Sequence, residues 1–351
     1  MSRVLIASVV AAAVLAAAPA RAQVYPDRIE VKSKVRTVAS HTAYQRRDRG
    51  DSREEDSERT TKTFRLGPSG SLSLGNISGD ITIARGAGSD TTVEILKTAH
   101  GRDLADAREQ LQLVTVDAVE RTGNRAEVKA RYPNFNNDEA RRRNRRGVNV
   151  SVAYTVTAPA GTNVSVETIS GSVRISDMTG EVSATTISGD VRIAGGRVGT
   201  AKTISGTVEI TDAQMDGTID SSSVSGDVIL RRVKARRLDA GSVSGDIRLE
   251  DVQAERVSAH TTSASIFMSG PLAKNGRYEL KGFSGDVRVV LAGNAGFEVD
   301  ATSFSGDIRA SDFALTARGR VGGRTLNGTH GDGSAVLELS TFSGSIILSK
   351  K

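Results

Sequence analysis

A short motif returns along this chain at nearly constant spacing, and that repeat decides what the chain can fold into. The string TISGSVRI begins at Thr168, and close variants begin at Thr186, Thr203, Ser223, Ser242, Gly282, Ser303 and Thr341. A degenerate copy, TSASIFM, begins at Thr262, and an outlying one, NISGDITI, at Asn76. The motif serines from Ser170 to Ser305 follow one another at steps of 17 to 21 residues, and the last step, to Ser343, is 38. A period near 19 is too short for an array of helical hairpins and suits one coil of a β-solenoid. The doubled last step predicts a divergent coil or a long insertion between Ser311 and Gly333.

Within each copy, apolar and polar residues alternate. From Ile187 to Ile193 the alternation places Ile187, Gly189, Val191 and Ile193 on a core face and Ser188, Asp190 and Arg192 outside. A weaker strand follows each copy, as from Gly180 and from Glu255. The expected fold class is all-β: a single-stranded, β-helix-like solenoid of ~19-residue coils over residues 161–351. A smaller β-rich region with one short helix, residues 62–160, is expected to precede it. Stacked coils lie about 4.8 Å apart, so nine or ten of them would extend roughly 45 Å. The recurring glycine lets the chain bend at a corner or approach the next coil closely.

Residues 1–22 read as an export signal. Arg3 supplies a positive start, Val4 to Ala18 is apolar, and Ala20-Arg21-Ala22 gives the small-x-small cleavage pattern. The apolar run is about 15 residues, short of the ~20 a spanning helix needs. The expected destination is periplasm, cell envelope or medium, with no transmembrane segment in the mature chain. Cysteine is absent, which excludes a lipid-bearing cysteine and any disulfide in an oxidising compartment. Losing Arg3 and Arg21 takes the formal charge from +6 to +4, a mildly basic balance that names no polyanionic partner.

Residues 23–61 are expected to form a charged, disordered tether, because Tyr44 to Thr61 is dense in mixed charge and nearly free of apolar side chains. Further on, Asp103 is placed to cap a helix over about 103–114, with Leu104, Ala107, Leu111 and Leu113 near helical spacing. A polar loop over 133–147 then carries Arg141, Arg142, Arg143, Arg145 and Arg146. This cluster has two readings: contact with a phosphate-bearing or other polyanionic envelope polymer, or a solvated loop partly offset by Asp138 and Glu139. Nucleic acid is not expected as a partner, since no aromatic residues interleave with the arginines for base stacking.

One polar constellation recurs. Asp190, Asp227, Asp246, Asp286 and Asp307 share one repeat position, and Arg192, Arg248, Arg288 and Arg309 stand two residues after four of them. Stacked in register, they form a carboxylate column beside a guanidinium column. The structural reading is a surface ion-pair ladder; the functional one is a calcium- or glycan-binding strip. Catalytic chemistry is not expected. His41, His100, His260 and His330 lie in unrelated segments without metal-ligand spacing, and the many serines are periodic rather than singular. No cofactor is expected. A polysaccharide-cleaving β-helix would want aromatic platforms, and the chain has no Trp and five Tyr.

With ISGDVRI at Ile187, SVSGDIRL at Ser242 and GDGSAVLELSTFSGSIIL from Gly331 in hand, the chain resembles a family of bacterial β-strand-repeat proteins described as candidate adhesins of otherwise unknown function. The resemblance runs roughly from Phe64 to Leu348. It implies a β-solenoid-like fold at the envelope or cell surface and no established enzyme chemistry. The functional expectation is an exported, adhesin-like binding module presenting a repetitive β face to an envelope or surface polymer. The alternative is a structural or signalling accessory that works through an envelope protein.

Overall fold

The Ser-Gly-Asp triplet is a corner of the coil. In the computed structural model, which describes residues 40–41, 54–133, 148–317 and 324–351, the long strand Glu181–Ser188 stops at the triplet, and the short strand Val191–Ala194 starts beyond it in a different sheet. Gly189 sits at φ +139, and a Cβ there would lie 2.2 Å from the carbonyl oxygen of Gly171 in the preceding coil. Only glycine meets both conditions. The alternation expected across the motif is corrected accordingly. Ile187 is 45% exposed, whereas Thr186 before it and Val191 and Ile193 after it are buried. The chain changes sheet at the glycine, so inside-outside parity does not carry through the corner.

Each coil gives a long strand to one sheet and a short strand to the other. Successive coils pair parallel and in register, as with Val173 on Val191 and Ile175 on Ile193. Branched side chains from the short strands (Val191, Ile193, Val208, Ile210, Val228, Leu230) meet smaller residues such as Ala184, Ala201 and Ala240 from the long ones, and all are buried. Complementary sizes fill a thin core with no helix inside it. The opposite corner uses left-handed backbone at Asp177, Gly195, Asp212, Arg232 and Asp251, a conformation that glycine and short polar residues tolerate best. Ten coils stack in this way among the described residues, and each sheet has fourteen strands in all.

Coil order and chain order part company at both ends. Ser71–Gly75 and Ile81–Arg85 form a first coil that stacks directly on Asn163–Ser170 and Val173–Ser176. The stack therefore begins well before residue 161, and the intervening chain is an excursion that covers its open end. In that excursion Arg125–Arg131 and Val150–Ala158 extend the two sheets. At the other end, Ala335–Ser343 lies between Arg277–Ser284 and Phe297–Ser305, parallel to both. Ile346–Lys350 fits likewise between Val287–Ala292 and Ile308–Arg309. The doubled repeat step is thus a return path, including Thr325–His330 antiparallel to Phe297–Ser305. Residues 318–323 of the expected insertion lie outside the described residues.

The charged segment expected to be a tether ends earlier than its composition suggests. Glu54–Phe64 is a strand paired antiparallel with Thr91–Gly101 along its whole length. Its charges are answered from elsewhere: Arg59 by Glu94, Glu58 by Lys97 at 2.7 Å, and Asp56, only 2% exposed, by Arg108 at 3.2 Å. The helix Leu104–Leu113 packs on this pair of strands, burying Ala107 and Leu111 while Leu113 stays exposed. Asp103 caps it by accepting from the Asp106 amide, and Glu54 accepts from the Leu104 amide. Lys97 donates to the Leu111 and Val114 carbonyls at the other end, placing a cation where the helix dipole is negative. Residues 1–39 and 42–53 lie outside the described residues, the expected export signal and most of the expected tether among them.

Candidate functional site

At most of the glycine corners a small hydroxyl residue points inward, Asn76 and Gly282 taking that place at the corners of Gly79 and Gly285. Thr203 donates to the Gly189 carbonyl at 2.9 Å, Ser223 to Gly206 at 2.9 Å, Ser242 to Gly226 at 3.1 Å and Thr341 to Gly285 at 2.9 Å. The donor reaches back to the preceding coil in the stack and satisfies a buried carbonyl that the turn leaves over. Thr168 and Thr261 are buried without such a partner. For Thr168, Asn76 has already donated its side-chain amide to Gly79. For Thr261, the same coil carries Ala264 at the corner where its neighbours have glycine; Ala264 stacks beneath Gly285.

Because the hydroxyl points in, the next residue points out. That residue is Ile77, Ile169, Ile187, Ile204, Val224, Val243, Phe283, Phe342 and Phe304 in stacking order, with Thr262 between Val243 and Phe283. The nine apolar members are 37–59% exposed. They make one line down the corner, interrupted once by Thr262, over roughly 43 Å at the sheet spacing. Phe283, Phe342 and Phe304 stack face to face, with centroids 5.0 and 4.6 Å apart and planes within 5°. The Arg324 guanidinium lies 6.0 Å from the Phe304 centroid. The sequence reading placed Ile187 in the core and missed this stripe. The signal available was the inward-sized Thr or Ser that precedes seven of the nine apolar residues, with Asn76 before Ile77 and Gly282 before Phe283.

The aspartate column has a backbone role at the same corner. Asp190 accepts from the Thr207 amide at 2.8 Å, Asp227 from Asp246 at 2.9 Å, Asp246 from Ser265 at 3.1 Å and Asp286 from Ser345 at 2.8 Å. Each carboxylate ties its coil to the next, and its second oxygen is open to arginine. Arg192 reaches Asp190 at 2.8 Å, while Arg248 and Arg309 reach Asp246 and Asp307 at 3.3 Å. Arg288 makes no ion pair with Asp286. Stacking order matters here. Ser345 comes between Asp286 and Asp307, which are neighbours by sequence count alone, so the inserted last coil separates two like charges. A mixed network continues on the short-strand sheet, where Arg231 bridges Glu250 and Glu209. Those two carboxylates, Glu250 foremost, push the Arg231 guanidinium above its ordinary value.

The five arginines Arg141, Arg142, Arg143, Arg145 and Arg146 lie outside the described residues. His100, His260 and His330 are far apart in the fold, and among the described residues no three His, Asp or Glu side chains converge as a metal site. No helix among the described residues is long and apolar enough to cross a membrane.

The family model described as Toastrack DUF4097 matches this chain twice, over residues 68–238 and 201–349. No curated protein matches it. Among solved structures, a candidate adhesin from Bacteroides fragilis is 13% identical with a TM-score of 0.39, covering 84% of this chain and 97% of its own. A candidate adhesin from Parabacteroides distasonis is 9% identical with a TM-score of 0.40 and the same coverage. A candidate lipid-binding protein from the latter organism is 12% identical with a TM-score of 0.36, covering 84% and 96%. Overlays this loose carry no weight for function. With two matches that together span the whole coil stack, the chain belongs to the Toastrack DUF4097 family.

Proposed function

We propose that this chain is an exported, non-catalytic binding module of the cell envelope, adhesin-like in presenting one repetitive face, and that the apolar stripe is that face. One observation carries the reading: nine large apolar side chains stand in line on the surface, each 37–59% exposed. Together they leave on the order of 700 Å² of apolar side chain open to water, beyond what scattered surface residues amount to and close to one side of a standard interface. Neighbouring rungs shield one another along the stack but leave the outer half of each side chain uncovered. A line of such length suits a partner that is itself extended and apolar along tens of ångströms. The export-signal pattern read in residues 1–22 supports the envelope as the setting.

The test is cosedimentation of the mature chain with isolated envelope fragments at low and high salt. Hydrophobic contact resists screening, so binding is expected to survive high salt. The double variant Ile187→Asp/Ile204→Asp should weaken it at least tenfold while melting within a few degrees of the parent. Binding lost in salt would point to the Arg141–Arg146 loop and overturn the stripe. No binding at either salt would replace this reading with an accessory role through a protein partner.

A further inference from the structure

In a stack of repeats, a coil that keeps its inward residues but changes its outward ones has been altered for something other than the fold. The coil running from Gln253 to Pro271 is such a case. Its inward residues Val257, Ala259, Ile266 and Met268 are buried like those of its neighbours. At the four corner and outer positions it differs each time: Thr262 in the apolar stripe, Ala264 for glycine, Ser265 for aspartate and Phe267 for arginine. Among the described residues no other coil departs at more than two of these four. The coils on either side, with Asp246-Ile247-Arg248 and Asp286-Val287-Arg288, follow the repeat in full.

The altered coil lines a hollow. Phe267 pairs in register with Arg248 on one side and Arg288 on the other, and all three line a cavity of about 430 Å³ together with Asp246, Glu250 and Asp286. That volume lies within the range of small-ligand sites. Its charges are largely matched. Asp246 holds Arg248 at 3.3 Å, and Glu250 is held from outside by Arg231 at 2.9 Å. With two guanidinium groups against three carboxylates in the lining, and Arg231 answering Glu250 from outside, the floor gives an anion or a metal ion little net attraction. It does offer planar acceptors and forked donors around one aromatic ring. Those are complementary to a ring with an apolar C–H face and equatorial hydroxyls: carboxylates accept from hydroxyls, guanidinium groups donate to them, and the phenyl group covers the C–H face.

We propose that this hollow is a subsite for a neutral sugar residue of an envelope or surface glycan. It lies on the short-strand sheet, apart from the stripe, and deepens the binding-module reading without depending on the stripe as the contact.

The test is titration of the isotope-labelled mature chain with maltotetraose, cellotetraose and mannotetraose, with oligogalacturonate as the acidic comparison. At least one neutral oligosaccharide should shift amide signals around Ile247, Phe267 and Arg288, saturating near a millimolar Kd, of the order expected for one shallow site. Phe267→Ala should weaken that binding at least tenfold. The triple variant Thr262→Val/Ser265→Asp/Phe267→Arg returns three of the four altered positions to the repeat and leaves Ala264 in place. It should melt no lower than the parent and lose the shifts, which separates loss of the site from loss of the fold. Three outcomes would overturn the proposal: no shift with any neutral oligosaccharide, shifts only with oligogalacturonate, or shifts unchanged in the triple variant. Envelope binding that persists while sugar binding fails would leave the stripe reading standing; the converse would leave only the subsite.

Discussion

At the scale of single residues, the corner is where this fold is least forgiving. Gly189 must leave room for the Gly171 carbonyl and also hold φ at +139, so Gly189→Ala meets rigid backbone rather than a side chain that can turn away. The expected cost is about 2–4 kcal/mol, seen as a lower denaturant midpoint. Gly123, at a hairpin tip with nothing within 4 Å of its missing Cβ, should lose only about 1 kcal/mol in the same exchange. An equal loss at both sites would contradict the stacking account. The inward hydroxyls give a second contrast. Thr203→Val removes a buried hydrogen bond and should cost about 1–2 kcal/mol. Thr261→Val removes a hydroxyl that has no partner and should be neutral or stabilising in the same melt.

At the scale of elements, the end-covering excursion depends on phenols kept out of water. Tyr132 donates to the Val150 carbonyl at 3.0 Å, and burial pushes its phenol up to about 12. Tyr154 and Tyr278 are raised by the same cause. A raised phenol holds its proton in the folded state where the unfolded chain has lost it. The stability it contributes is therefore complete below pH about 10 and fades as pH rises toward 12. Phenolate absorbance should show these three tyrosines resisting ionisation at pH 11 until the protein unfolds, with the melting temperature falling over that window. Ordinary titration of all five tyrosines near pH 10 would sink this. Elements also show what could be read in advance. The solenoid, its period and the helix after Asp103 follow from spacing and capping. The strand Glu54–Phe64 did not, because what neutralises Asp56, Glu58 and Arg59 comes from Arg108, Lys97 and Glu94, residues that local composition cannot weigh. The stripe was hidden for a related reason: the parity of a strand tells inside from outside only until the chain changes sheet.

At the scale of the whole stack, the last strands in sequence are not the last in space. Ala335–Ser343 and Ile346–Lys350 are paired on both edges, unlike a chain terminus that ends a solenoid. Hydrogen exchange should accordingly find amides from Val336 to Leu348 protected as well as those of the central coils, whereas fast exchange there would contradict the coil order. The same insertion brings Phe342 between Phe283 and Phe304 and completes the stripe.

That stripe is most directly tested by cysteine footprinting, which the absence of native cysteine makes clean. Single variants Ile187→Cys, Ile204→Cys and Phe283→Cys, with Ile193→Cys as an inward control, would be labelled with a thiol reagent before and after adding envelope fragments. The stripe positions should react quickly in the free protein and become protected on the envelope, while the control reacts only on unfolding. Stripe cysteines that react slowly in the free protein, or equally fast with and without envelope, would contradict the account.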